Sequence, residues 1–410
     1  MRLGPILSLL LGVRAAAAVP AIPADAPAAP PGIRLPQRPA PRLDLPEWLG
    51  DLIGLHGGVE TAPARGERIH LNLLPFVVTN PLIGAGAGVA ALGAVRLGDL
   101  PTTSYSTFTV SGLATTNGQS SLNVRSDVRL PRNDWILVGD WALSHFPNPA
   151  WGVGGDTPDR GRTTLDRRQV KLHETAYRRL AGHLYGGAGY YLDDYFDIVD
   201  RRAASGEATA VSAYGIGTSG RSVSSGLAGS LLWDSRDNPI APWRGQYALV
   251  RYRWAPDEFG SERTWQSLWL EARTYVPLPR RPDNIALWAF GWFAFGRTPY
   301  LMLPSIGIDP EQRSGRGYVE ARHVGRDLLG AEAEYRFSLW EFVGGVVGAN
   351  VHSVSDREPL EGEPEFRRWH PAAVAGLRLT LDRRSLAALA VDLAVAPGGV
   401  SAYVSFNEAF

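Results

Sequence analysis

Cysteine is missing from all 410 residues. Without a thiol there is no disulfide framework, no thiolate metal site and no acceptor for the lipid anchor of a lipoprotein. Net charge is missing too, because 41 basic residues balance 41 acidic ones, and a nucleic-acid partner would call for a basic face. No apolar stretch reaches the roughly 20 residues that a membrane-crossing helix needs. The eight histidines show no metal-ligand spacing, and the Ser, His and Asp residues are scattered rather than arranged as a hydrolase would need. The run Gly84–Gly88 (GAGAG) opens a strand pattern, not a helix, so it is no phosphate cradle. No catalytic residue, metal or cofactor is therefore expected.

Glycine (46) and tryptophan (13) are plentiful, a pairing that suits a barrel with tight turns and aromatic girdles. Residues 1–18 read as a signal peptide: Arg2 supplies the positive start, Ile6 to Val13 the apolar core, and Ala16-Ala17-Ala18 the cleavage site. Residues 19–67 form a Pro/Ala-rich linker that cannot bury a core. Within it, Trp48, Leu49, Leu52, Ile53 and Leu55 fit one short amphipathic helix.

Residues 68–410 change to a period of two. Leu122, Val124, Val128 and Leu130 alternate with Asn123, Arg125, Asp127 and Arg129; Ala331, Ala333, Tyr335, Phe337 and Leu339 alternate with Glu332, Glu334, Arg336 and Ser338. The pattern divides into sixteen segments running from 69–79 to 400–410. Alternation also occurs in soluble sandwiches, so the connections decide. Every long one (147–164, 198–221, 298–327, 353–370) has an odd number in the series, and every even-numbered one is short. Short turns on one side and long loops on the other mark an outer-membrane barrel. The expected fold is all-β: a closed antiparallel transmembrane barrel of sixteen strands, both termini periplasmic, with charged residues facing the lumen. Trp135, Trp141, Trp233, Trp254, Trp269, Trp288 and Trp292 are expected to anchor it at the membrane interfaces. Asp193, Asp194 and Asp197 are expected on a solvated, cation-bridged rim.

Two segments carry a resemblance. Gly315-Arg316-Gly317-Tyr318, in the longest loop, resembles the loop-six motif of the BamA/TamA-type outer-membrane assembly superfamily, the bacterial surface antigen barrels. The stretch 226–247 is similar to that family's turn motif, matched by Asp234, Arg236, Asp237, Asn238, Pro242 and Gly245. The last strand, with Val404, Phe406 and Phe410 at one parity, resembles the C-terminal signal read by outer-membrane assembly machinery. The resemblance implies that loop 298–327 folds into the lumen and that Arg316 pairs with Glu334 or Glu332. It also implies that Val404, Phe406 and Phe410 face lipid while Tyr403 faces inward.

Two features depart from the family. Its inward Asp in an F-x-D-x-G pattern is absent from Val346-Val347-Gly348-Ala349-Asn350, and only the linker stands where POTRA domains are expected. The resemblance implies an outer-membrane protein that moves or inserts proteins or lipids through a weak seam between first and last strands. A passive pore or purely structural barrel is the alternative. The implied partners are the outer-membrane bilayer and its lipopolysaccharide, the assembly machinery, and a periplasmic partner or client.

Overall fold

The computed structural model describes residues 70–80, 84–99, 102–279, 282–310, 313–355, 364–383 and 385–410. The signal peptide, linker and short helix expected at 1–67 lie outside these residues. Seventeen strands follow in chain order: β1 (His70–Asn80), β2 (Gly84–Val95), β3 (Ser106–Thr115), β4 (Ser120–Arg129), β5 (Trp135–His145), β6 (Asn148–Ala150), β7 (Thr163–Ala181), β8 (Leu184–Asp200), β9 (Gly220–Asp234), β10 (Gly245–Ala255), β11 (Trp265–Pro277), β12 (Asn284–Gly296), β13 (Asp327–Trp340), β14 (Val343–Ser355), β15 (His370–Asp382), β16 (Ala387–Ala396) and β17 (Gly399–Phe406). Two short helices, α1 (Arg201–Ala204) and α2 (Ala210–Tyr214), sit in the loop after β8.

Each strand pairs antiparallel with the next, from β1–β2 through β16–β17. The three-residue β6 is the exception: it pairs only with the start of β7, and β5 bypasses it to reach β7 directly. Setting β6 aside leaves the sixteen staves that the alternation predicts. The long connections, 146–162, 201–219, 297–326 and 356–369, all link strand ends on the same edge of the antiparallel sheet. The four longest connections sort as expected, but two of the even-numbered ones, 96–105 and 235–244, run to ten residues each instead of being short turns. Closure by a ladder is not seen: among the described residues no paired backbone joins β17 to β1, although the two strands approach one another.

The alternation sorts side chains as physics requires. Leu122, Leu143, Leu231, Leu287, Leu377 and Leu393 are exposed on the outer face, while Glu271, Arg273, Glu332, Glu334, Arg336 and Arg378 are buried on the inner one. An apolar outer face of this kind is stable against hydrocarbon, where a sheet must pair its own backbone. Trp135, Trp141, Trp233 and Trp254 share that outer face. Trp269, Trp288 and Trp292 correct the expectation. They have the parity of Glu271 and Arg273 on β11 and of Ala286 and Phe290 on β12, and they pack in an inner cluster.

The acidic trio splits as well. Asp194 pairs with Arg221 and Asp197 with Arg168 at the exposed loop end. Asp193 instead turns inward and is buried between His173 (2.9 Å) and Arg253 (2.8 Å). Consecutive residues of a strand point to opposite faces, so a rim role for both Asp193 and Asp194 was excluded by geometry.

Candidate functional site

The loop between β12 and β13 runs into the lumen, burying Leu303, Ile306, Ser314, Arg316 and His323. Its tip is a tight turn in which the Tyr318 N–H donates to the Gly315 carbonyl at 3.0 Å. Gly317 has φ +108°, and a Cβ there would lie 2.9 Å from the Ala372 Cβ on β15. Only glycine allows this backbone to press so closely on the wall.

Arg316 is thereby aimed at three carboxylates. Its guanidinium contacts Glu332 and Glu334 on β13, the residues the resemblance implies, and Asp392 on β16 at 2.7 Å. All four side chains are buried. The position of the missing family Asp is filled in another way. Asn350 on β14 donates to the Arg316 carbonyl at 2.9 Å, while the additional negative charge comes from Asp392, two strands further on. Gly376 on β15 makes room for that carboxylate, since a Cβ there would fall 1.9 Å from it. Sequence reasoning missed Asp392, although it is the lone charged residue of AALAVDLAVA.

The backbone of the tip is also held. The Gly317 N–H donates to the Tyr403 hydroxyl (2.8 Å) on β17, whose side chain points inward as expected, and the Tyr318 hydroxyl donates to the Pro371 carbonyl (2.8 Å) on β15. Every one of these anchors belongs to β13–β17, the five strands that end at the unladdered seam. Behind Tyr318 stand His323, His352 and His370, with His323 Nδ1 2.7 Å from His352 Nε2. Burial, with His352 and His370 alongside, pushes the His323 imidazole well below its ordinary pKa and keeps it neutral.

A second layer of charge extends toward the turn side. Arg336 pairs with Glu334 (2.6 Å), and Arg378 pairs with Asp392 (2.5 Å) and with Glu408 (2.9 Å). Glu408 belongs to the C-terminal tail, and this corrects the last-strand expectation. Val404 is exposed on the outer face and Phe406 lies half-buried at the end of β17, but Phe410 is buried inside the barrel. Strand pairing stops at Phe406. Asn407 has φ +65°, and its N–H donates to the Ala388 carbonyl (2.7 Å), so alternation ends there and the tail turns into the lumen. The Phe410 ring stacks on Trp288 (centroids 5.4 Å apart), and its carbonyl accepts from Arg336 at 3.0 Å.

The turn motif lies across the same mouth. It is a ten-residue connection, 235–244, rather than the short link expected between 235 and 243. Asp234 is buried between Arg236 (2.9 Å) and Arg129 (3.0 Å). Asp237 accepts from the N–H groups of Trp243 (3.0 Å) and Arg244 (3.2 Å), and Asn238 accepts from that of Ile240 (2.7 Å). The Pro242 carbonyl accepts from Asn284 (3.2 Å), and Gly245, at φ +105°, closes the turn. So shaped, the turn reaches the other side of the sheet: Asn238 donates to the Ser385 carbonyl (3.0 Å) in the β15–β16 turn, and Ile240 packs with Ala94 and Ala387. Loop, tail and turn together occupy the lumen beside β13–β17.

Fold and site together define an antiparallel β-barrel with a loop locked inside it. Among solved structures the chain is similar to BamA from Haemophilus ducreyi lacking POTRA domains 1-3, at TM-score 0.50 and 13% identity, over 83% of this chain and 70% of that one. It is similar to CdiB from Acinetobacter baumannii at TM-score 0.50 and 12% identity, over 83% of this chain and 59% of that one, so it spans less than two thirds of CdiB. At these identities the likeness shows a shared fold. No family model and no curated protein matches the sequence.

Proposed function

We propose that this chain is an outer-membrane barrel that inserts or translocates proteins or lipids by opening laterally between β1 and β17. The observation that carries the reading is the seam without a ladder among the described residues, flanked by a loop whose 315–318 tip is anchored on β13–β17. Unpaired strand edges are templates for another strand, and inside a bilayer an edge must find a partner. A client strand or a lipid surface disturbed at the seam would supply the occupant. The loop lock keeps the last five strands rigid while that edge is exposed.

The fold shared with BamA and CdiB supports this reading, as does the apolar outer face, which fits a Gram-negative outer membrane. The partners it implies are the bilayer with its lipopolysaccharide, the assembly machinery that receives the chain, and a periplasmic client or helper. No covalent chemistry belongs to the reading. The alternative, a passive pore, needs an open lumen, whereas loop, tail and turn fill the side next to the seam.

The test is reconstitution of the full chain into liposomes. A urea-unfolded outer-membrane barrel client should fold faster into loaded vesicles than into empty ones, and planar-bilayer recordings should show low resting conductance. Steady, large conductance without any effect on client folding would favour the pore.

A further inference from the structure

Opposite the loop lock, the lumen retains an open cavity between the inner faces of β4–β11 and the underside of the long loop, where Met302 and Pro310 roof it. We propose that this cavity binds an anionic saccharide, a sugar bearing a phosphate or carboxylate, with its oxyanion on Arg251 and its ring on the neighbouring indoles.

Arg251 is the observation that starts the argument. It points inward from the middle of β10, and no carboxylate pairs with it among the described residues. Its one side-chain hydrogen bond is a long contact of 3.4 Å to the Tyr177 hydroxyl, and its guanidinium lies 5.6 Å from the Tyr191 ring centroid. Arg253, two residues along, differs: Asp193 holds it at 2.8 Å. A cation enclosed without a counter-charge carries a desolvation cost that an anion relieves, and the planar guanidinium suits the paired oxygens of phosphate or carboxylate.

The surroundings supply the rest of a site. Strand register puts Ser230, Arg251, Trp269 and Trp292 in one row across β9–β12. Trp269 is 2% exposed, lines the cavity, and its Nε1–H has no acceptor among the described residues. Trp265 and Tyr191 add ring faces beside them, both close to Arg253. Ring faces next to the unpaired Trp269 donor and the Arg251 guanidinium are what a ligand with an apolar face and a hydroxylated edge requires. Simple interface anchoring does not account for tryptophans that face inward.

The experiment uses the full chain folded in detergent micelles, with intrinsic tryptophan fluorescence and calorimetry as readouts. The probes are glucose 1-phosphate, inorganic phosphate and glucose. Glucose 1-phosphate should bind saturably, inorganic phosphate more weakly, and glucose least. R251Q should weaken glucose 1-phosphate binding by about tenfold or more, and W269F, which keeps a ring but loses the Nε1–H, should weaken it by a few-fold. Folding of each variant is checked by heat-modifiable migration; if R251Q fails to fold, R251K keeps the charge, loses the fork and should still bind more weakly than wild type. Absence of saturable binding, binding unchanged in a folded Arg251 variant, or glucose binding as well as its phosphate would overturn the site. Equal affinity for inorganic phosphate would overturn its saccharide part.

Discussion

At the residue scale the account rests on Arg316. Removing one partner from an enclosed ion pair typically costs about 3–5 kcal/mol, because the other charges stay buried and uncompensated. Arg316→Ala leaves Glu332 without its guanidinium partner, while Arg336 and Arg378 still hold Glu334 and Asp392, so the expected result is a loosened loop in an intact wall. Hydrogen exchange across 300–326 should rise while the folded, heat-modifiable band persists, because sixteen laddered strands do not depend on one side chain. Asp392→Ala should loosen the loop comparably. That second expectation was not legible in the sequence, where attention fell on the adjacent-strand position now held by Gly348 and Asn350. Alternation identified which residues face inward but could not say which inward residues meet across strands. His323 adds a pH dependence. Its folded-state pKa is lowered, so the stability it confers is present above the unfolded value of about 6.5 and is lost as pH falls below it. Proteolysis of the loop should accelerate between pH 7.5 and pH 5, and less so in His323→Phe.

At the element scale, connection lengths made the barrel readable, because a short turn and a long loop differ locally and need no tertiary information. The same local reading failed at two ends. It shortened the 235–244 turn, whose Asp237 and Asn238 side chains stand in for backbone pairing. It also extended the last strand through Asn407, whose positive φ reverses the chain. Two expectations follow. Deleting Phe410 should lower the yield of folded barrel in cells, as a C-terminal assembly signal would require. The barrels that do assemble should also conduct more, because the Trp288 stack and the Arg336 contact are lost. Asn238→Ala should raise conductance through the same mouth, since it removes both the Ile240 turn bond and the Ser385 latch. Unchanged conductance in both variants would mean that tail and turn do not seal the lumen.

At the scale of the whole molecule, the central claim is a gate: a sheet continuous from β1 to β17 whose two ends, among the described residues, approach without a ladder. The absence of cysteine makes this directly testable, because any introduced pair supplies the only thiols. The measurement places one cysteine on β1 at Leu73 or Val77 and one on β17 at Val400 or Val404, all exposed on the outer face. Client folding into liposomes carrying the variant is then followed under oxidising and reducing conditions. Acceleration of folding should disappear when the seam is tied and return on reduction, with the same client and lipid. Acceleration that persists with the seam fully crosslinked would contradict lateral opening.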